Sequence, residues 1–244
     1  MVWPINNYGY SRPGHIHDVT QMRVATQSPR AALHQQHQII SSCSSLCFHC
    51  FTFVRCDKFP PASSTMSEFK DRITDVLDFW FGKPGEADYL QSKRFWYGSP
   101  EDDELVRREL SADYERARSG KLENWTDTVE GSIALIILLD QVPRNIFRDK
   151  AQAYATDDMA LEVARKVVER GWDKDQPTVI RRYIYSPFNH SENLDDQKRS
   201  VELFTELGDG DHLYWAKNFY DIILAHGRFP HRDRILGRTG RRTK

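Results

Sequence analysis

No cysteine follows Cys56 in this 244-residue chain. That absence excludes a disulfide framework, a thiolate metal site and a cysteine nucleophile from everything downstream. The four cysteines upstream, Cys43, Cys47, Cys50 and Cys56, flank His49, but no second ligand pair follows at finger-like spacing, so a zinc cluster there is the minor reading. Long apolar runs are scarce too. Leu46 to Val54 is interrupted by His49 and reaches about half the length of a bilayer span, which argues against both a secretory signal and membrane insertion. Nor is there an excess of positive charge. Met1 to Met66 carries five Lys/Arg against two Asp/Glu, whereas Ser67 to Lys244 carries 29 against 33. A mildly acidic domain offers no broad cationic field, so nucleic acid is not an expected partner. There is no glycine-rich phosphate loop, since Gly208-Asp209-Gly210-Asp211 reads as a turn. Ser191 lacks nucleophile-elbow glycines, and no HExxH pair is present.

Residues 1–65 are rich in Ser, Gln, His and Pro, lack any sustained period, and are punctuated by Pro13-Gly14 and Pro60-Pro61. Such a stretch is expected to be a disordered tail. Two origins are consistent with it: an over-extended gene model with Met66 as the true start, which is preferred, or an organelle transit peptide. The second lacks a clean amphipathic Arg helix. A cytoplasmic location is expected, with organelle import through residues 1–65 left open. Residues 66–238 form the expected domain, and 239–244 a disordered end.

Inside the domain, helical signals dominate. Ser67 can cap a helix in which Phe69, Ile73, Val76, Leu77, Trp80 and Phe81 recur at helical spacing up to Gly82. Asp88 to Tyr97 is a weaker helical segment. Ser99-Pro100 supplies a cap and a first helical residue for a charged helix to Arg118, closed by Gly120. Trp125 and Thr126 introduce the next, and its centre, Ile133 to Leu139, is apolar all round, as in a helix buried within a bundle. Periodicity alone would allow a strand there, but no segment offers a sheet partner. Asp157 is expected to cap a helix to Gly171; Val179 to Tyr185, Asp195 to Leu207 and His212 to Ala225 complete the set. The fold class is therefore all-α, with about eight helices in an array or bundle. Residues 136–148 are echoed by 222–238, two apolar helix ends that break at proline and continue with Arg, suggesting two related helix elbows.

Three polar motifs mark those elbows. In LLDQVPRNIFR (138–148), Asp140 stands at the unfavourable end of a helix dipole directly after the apolar run, so it requires a cation; Arg144 or Arg148 can supply it. Asp140, Gln141, Arg144 and Asn145 can line a polar pocket, or Arg144 can merely satisfy loose carbonyls where Pro143 stops the helix. In YSPFNHSENLDDQ (185–197), Ser191 or Asp195 suits an N-cap, while His190 with Glu192 or Asp196 can form an acid–base or orienting pair. In HGRFPHRDRILGR (226–238), arginines on a rigid elbow, Arg228 and Arg232 beside His231, suit bidentate binding of a carboxylate or phosphate; the plainer reading is a solvated basic tail. A metal site from His190, His226 and His231 has no diagnostic spacing.

Together with VLDFWFG (76–82), these motifs in this order resemble the family numbered 924 among the domains of unknown function, over roughly Asp71 to Arg238. The resemblance implies an all-α fold in the tetratricopeptide-repeat-like superfamily and implies no agreed activity, substrate or cofactor. Family members usually carry a His-Arg-Asp triplet where this chain reads Phe219-Tyr220-Asp221, and an apolar residue where it has Asn189. Relatives also continue past the point where Arg241-Arg242-Thr243-Lys244 ends this chain, so a shortened last helix is expected.

Two functions follow from the motifs. One is a small anionic ligand held by Gln141, Arg144, Asn145, Arg228, His231 and Arg232, with His190, Glu192 and Asp140 as proton-transfer candidates and no cofactor or metal. The other is a helical scaffold for a protein or peptide partner, in which the polar motifs only lock the elbows.

Overall fold

The computed structural model describes the backbone of residues 62–239 and the side chains of 72–239. The zinc and transit readings of the first 61 residues and the expected C-terminal end at 240–244 lie outside them. Helix α1 (Ala62–Phe81) begins ahead of the expected cap at Ser67, just after Pro60-Pro61, a pair suited to preceding a helix. It buries Val76, Trp80 and Phe81 and ends at Gly82, whose φ of +84° is the left-handed turn-off glycine permits. The predicted helix at Asp88 to Tyr97 is instead a series of turns with one 3₁₀ turn at Arg94–Trp96. Its chain folds back over the end of α1 through the Leu90 N–H, which donates to the Phe81 carbonyl at 2.7 Å.

Helix α2 (Pro100–Arg118) is capped as expected, Ser99 Oγ accepting from the Asp102 N–H at 3.2 Å. Thr128, rather than the Trp125-Thr126 pair, caps α3 (Val129–Ile136) by accepting from the Gly131 N–H at 3.1 Å. Ile133 to Leu139 is buried on every side, and truncating any one of its large residues would cost about 2–5 kcal/mol.

Pro143 does not stop this helix. The backbone widens into one π turn, Ile137–Gln141, and α4 (Val142–Ile146) continues through the proline. The Val142 N–H reaches five residues back to the Ile137 carbonyl. Pro143 has no N–H for the Leu139 carbonyl, and Thr156 Oγ1 donates to it instead at 2.6 Å.

Helix α5 (Asp157–Glu169) leads to α6 (Thr178–His190), which outruns its predicted end at Tyr185 because it too continues through a proline, Pro187. Asn193 caps α7 (Leu194–Leu207) in place of Ser191 or Asp195, and Asp209 caps α8 (Gly210–His226). The chain then turns at Gly227 into a 3₁₀ turn, Pro230–Arg232. The two echoed segments therefore differ in geometry: one carries its helix through proline and the other breaks at glycine. Each helix from α5 onward packs on the next, α3 packs on α5, and α2 and α1 cover α4 and α3. No strand occurs among the described residues.

Candidate functional site

The array brings one residue from each polar elbow to a common point. Asp140, in the π turn, is fully buried, and His190, the last residue of α6, places Nδ1 2.5 Å from its Oδ1. Ser186 Oγ donates to Asp140 Oδ2 at 2.8 Å, and Gln141 Nε2 donates to the same oxygen. Arg144, one helical turn on, lies 3.4 Å from Asp140 Oδ1 and reaches on to Asp157 Oδ1 at 3.0 Å and the Ala153 carbonyl at 2.9 Å. Arg232 meets the other oxygen of Asp157 at 3.3 Å. An unbroken chain of polar contacts, His190–Asp140–Arg144–Asp157–Arg232, thus links α6, the π turn, α5 and the C-terminal elbow.

Burial alone would raise the Asp140 pKa, but His190, Arg144 and the hydrogen bonds from His190 and Ser186 together outweigh it and hold the carboxyl well below the usual range. Burial, helped by the Arg144 charge, pushes His190 below its ordinary value against the pull of Asp140. The pair at neutral pH is a carboxylate and a neutral imidazole. Asp140 must then accept from Nδ1–H, which leaves Nε2 as the basic nitrogen.

A cavity of about 360 Å³ opens beside these contacts, walled by Tyr154, Asp157, Pro187, His190, Glu192 and Arg232 among others. The Arg232 guanidinium packs against the rings of Tyr154 and Phe229, 4.6 Å from each centroid. It is 5% exposed, and its Nε is buried without a hydrogen bond. Phe229 holds that elbow to α8 by packing with Phe219 and Ile223.

Other expected site residues serve different contacts. Asn145 donates to the Phe95 carbonyl at 3.0 Å and to Asp103 at 2.9 Å, tying α4 to α2 with Arg148, which binds the same carboxylate. Arg228 forks onto Asp233 within its own loop. Glu192 is not the partner of His190; it accepts from the Phe229 N–H at 2.9 Å and from Arg238 at 2.7 Å, clamping the C-terminal elbow to the end of α6. Asp196 goes to Ser191 and Arg165 rather than to His190. His231 lies against Phe229, within the field of Arg232 and His190. Gln197 Nε2 donates to the closing carbonyls of α6, including Asn189 at 2.9 Å and Ser191 at 2.7 Å, so part of the second motif's density is a helix cap.

Sequence reasoning missed Asp157, Tyr154 and Ser186. Asp157 was expected only as a cap, yet Thr156 holds the cap position and Asp157 is the hub between two arginines. Among the described residues no three His, Cys, Asp or Glu side chains converge as a metal-ligand set, and no helix is long and apolar enough to cross a membrane.

Fold and geometry define an all-helical domain in which the second and third polar elbows, together with the start of α5, wall a small cavity. The family described as bacterial protein of unknown function (DUF924) matches residues 76–243, and the chain belongs to it. Among solved structures it is similar to a protein of unknown function from Agrobacterium tumefaciens, at 32% identity and a TM-score of 0.63, over 71% of this chain and 94% of that one. No curated protein matches.

Proposed function

We propose that the cavity binds a small anionic ligand through Arg232, with His190, oriented by Asp140, as the proton-transfer group beside it. The observation that carries this reading is Arg232: a guanidinium packed against two rings on the cavity wall, with a buried Nε–H that has no acceptor. An unsatisfied buried donor costs about 1–3 kcal/mol, and a carboxylate or phosphate oxygen at that edge would recover it. Asp157, itself paired with Arg144, anchors the cation, and Glu192 holds the elbow that presents it.

The scaffold reading calls for a broad exposed apolar face. Among the described residues the exposed large hydrophobics are Met159 and Leu224, on separate helices, so the cavity is the better supported site. Packing of successive helices from α5 to α8 is what kinship with tetratricopeptide-repeat arrays would produce, and we keep that kinship as a proposal about ancestry.

Thermal unfolding of the chain against a panel of small carboxylates and phosphates tests the reading. A ligand present at 100 times its Kd should stabilise the wild type by about 2.7 kcal/mol. The shift should vanish in folded Arg232→Gln and weaken in His190→Ala. A panel without effect, or a shift that survives Arg232→Gln, would reject it.

A further inference from the structure

The charges around the cavity do not all find partners within the protein. Three carboxylates, Asp157, Asp158 and Glu192, and two guanidiniums, Arg232 and Arg238, line it. Arg238 is committed to Glu192, and Asp157 is shared by Arg144 and Arg232. Asp158 alone pairs with no cation among the described residues. It sits in the first turn of α5, where a helix N-terminus favours an acidic side chain. The uncommitted groups are therefore one carboxylate and the Nε edge of a guanidinium that is 95% buried, since its exposure is 5%. Leu161, Pro187 and Leu236 supply apolar wall between the polar groups. A volume of about 360 Å³ lies near the small end of ligand pockets, which run roughly 300–1,000 Å³.

A phosphate dianion would face three acids across that space, and a simple carboxylate would leave Asp158 opposing it. A molecule carrying both signs answers both groups. Building on the anionic-ligand reading, we infer that the cavity takes a small zwitterion, a monocarboxylate with one ammonium group on a short aliphatic frame, its carboxylate on Arg232 and its ammonium on Asp158. Two-ended recognition of this kind rejects analogues that lack either charge, because each leaves a polar group of the site unmet.

Calorimetric titration of the full chain with glycine, norvaline, leucine and 4-aminobutyrate, against butyrate, butylamine and inorganic phosphate, decides the matter. At least one amino carboxylate should bind about tenfold or more tighter than butyrate or phosphate, a 1.4 kcal/mol difference. Asp158→Asn, an exposed substitution, should remove that advantage by weakening the amino carboxylates and tightening butyrate, which the lost charge no longer opposes, and Arg232→Gln should abolish binding of both; circular dichroism confirms that each variant is folded. Butyrate or phosphate binding as tightly as every amino carboxylate would overturn the zwitterion and leave the anion pocket standing. Absence of binding by all probes to the folded wild type would overturn both.

Discussion

His190 Nδ1 lies 2.5 Å from Asp140 Oδ1 across fifty residues of sequence, with both side chains buried. Removing the charge of Asp140 takes one of the two carboxylates, Asp140 and Asp157, from Arg144 and frees the imidazole to change tautomer. Asp140→Asn should cost about 3–5 kcal/mol, the scale for breaking a buried ion pair by one partner. In nitrogen-15 spectra the wild-type His190 should be protonated at Nδ1, and the variant should lose that preference. A wild-type signal showing Nε2–H would contradict the assigned role of Asp140.

That pair also shows where sequence reasoning reached and where it stopped. The Asp140–Arg144 contact was legible because four residues on a helix bring side chains together, and the buried character of Ile133 to Leu139 was legible from its lack of a polar face. His190 is grouped from sequence with Glu192 and Asp140 as proton-transfer candidates, but its orienting partner is sought in its neighbours Glu192 and Asp196, since spacing does not single out a partner on another helix. Asp157 was hidden by ambiguity: an aspartate at a helix start looks like a cap whatever else it does. The continuation through Pro143 and Pro187 escaped because the rule that proline ends a helix assumes an unbroken i to i−4 ladder, and here a π turn and two hydroxyls accommodate the loss.

Thr156 is the hydroxyl that matters most to that arrangement. It is buried, and its Oγ1 is the donor to the carbonyl that Pro143 leaves open. Thr156→Val should destabilise by about 1–3 kcal/mol through an unmet buried acceptor, whereas Thr156→Ser should keep most of the wild-type stability. In a Pro143→Ala background the restored N–H can serve Leu139, so the cost of Thr156→Val should shrink by about 1 kcal/mol. Additive costs in urea unfolding would show that proline and hydroxyl are not linked.

Gly131 makes the opposite prediction from the usual one for helices. Replacing an interior glycine by alanine ordinarily gains about 0.5–1 kcal/mol. Here a Cβ would lie 2.2 Å from the Trp125 carbonyl oxygen, a backbone atom that cannot swing aside. Gly131→Ala should lower the melting temperature and loosen the 3₁₀ turn Glu123–Asp127 against α3. An unchanged or higher melting temperature would show that the turn shifts at little cost.

Acid sensitivity should centre on the histidines around Arg232. Burial, and then the nearby Arg232, His190 and Arg144, push His231 from 6.5 down to about 4. Between those values the unfolded chain binds the proton and the folded chain resists it, so stability is full above pH 6.5 and is lost as pH falls toward 4. At ~1.36 kcal/mol per unit, discounted for a ring that is partly open to solvent, the loss is about 1–2 kcal/mol. His190, also depressed by burial, adds to the same limb. Asp209 lies lower: burial raises it, but hydrogen bonds from the His212 N–H and ring, with Arg182 nearby, bring it to about 2, so its contribution fades only as pH falls below its ordinary 3.8. Urea midpoints measured from pH 7.5 to 4.5 should therefore fall less steeply in His231→Gln than in the wild type, while Asp209→Asn should lower stability throughout that range without altering the slope. Parallel pH profiles for wild type and His231→Gln would remove His231 from the account of acid lability.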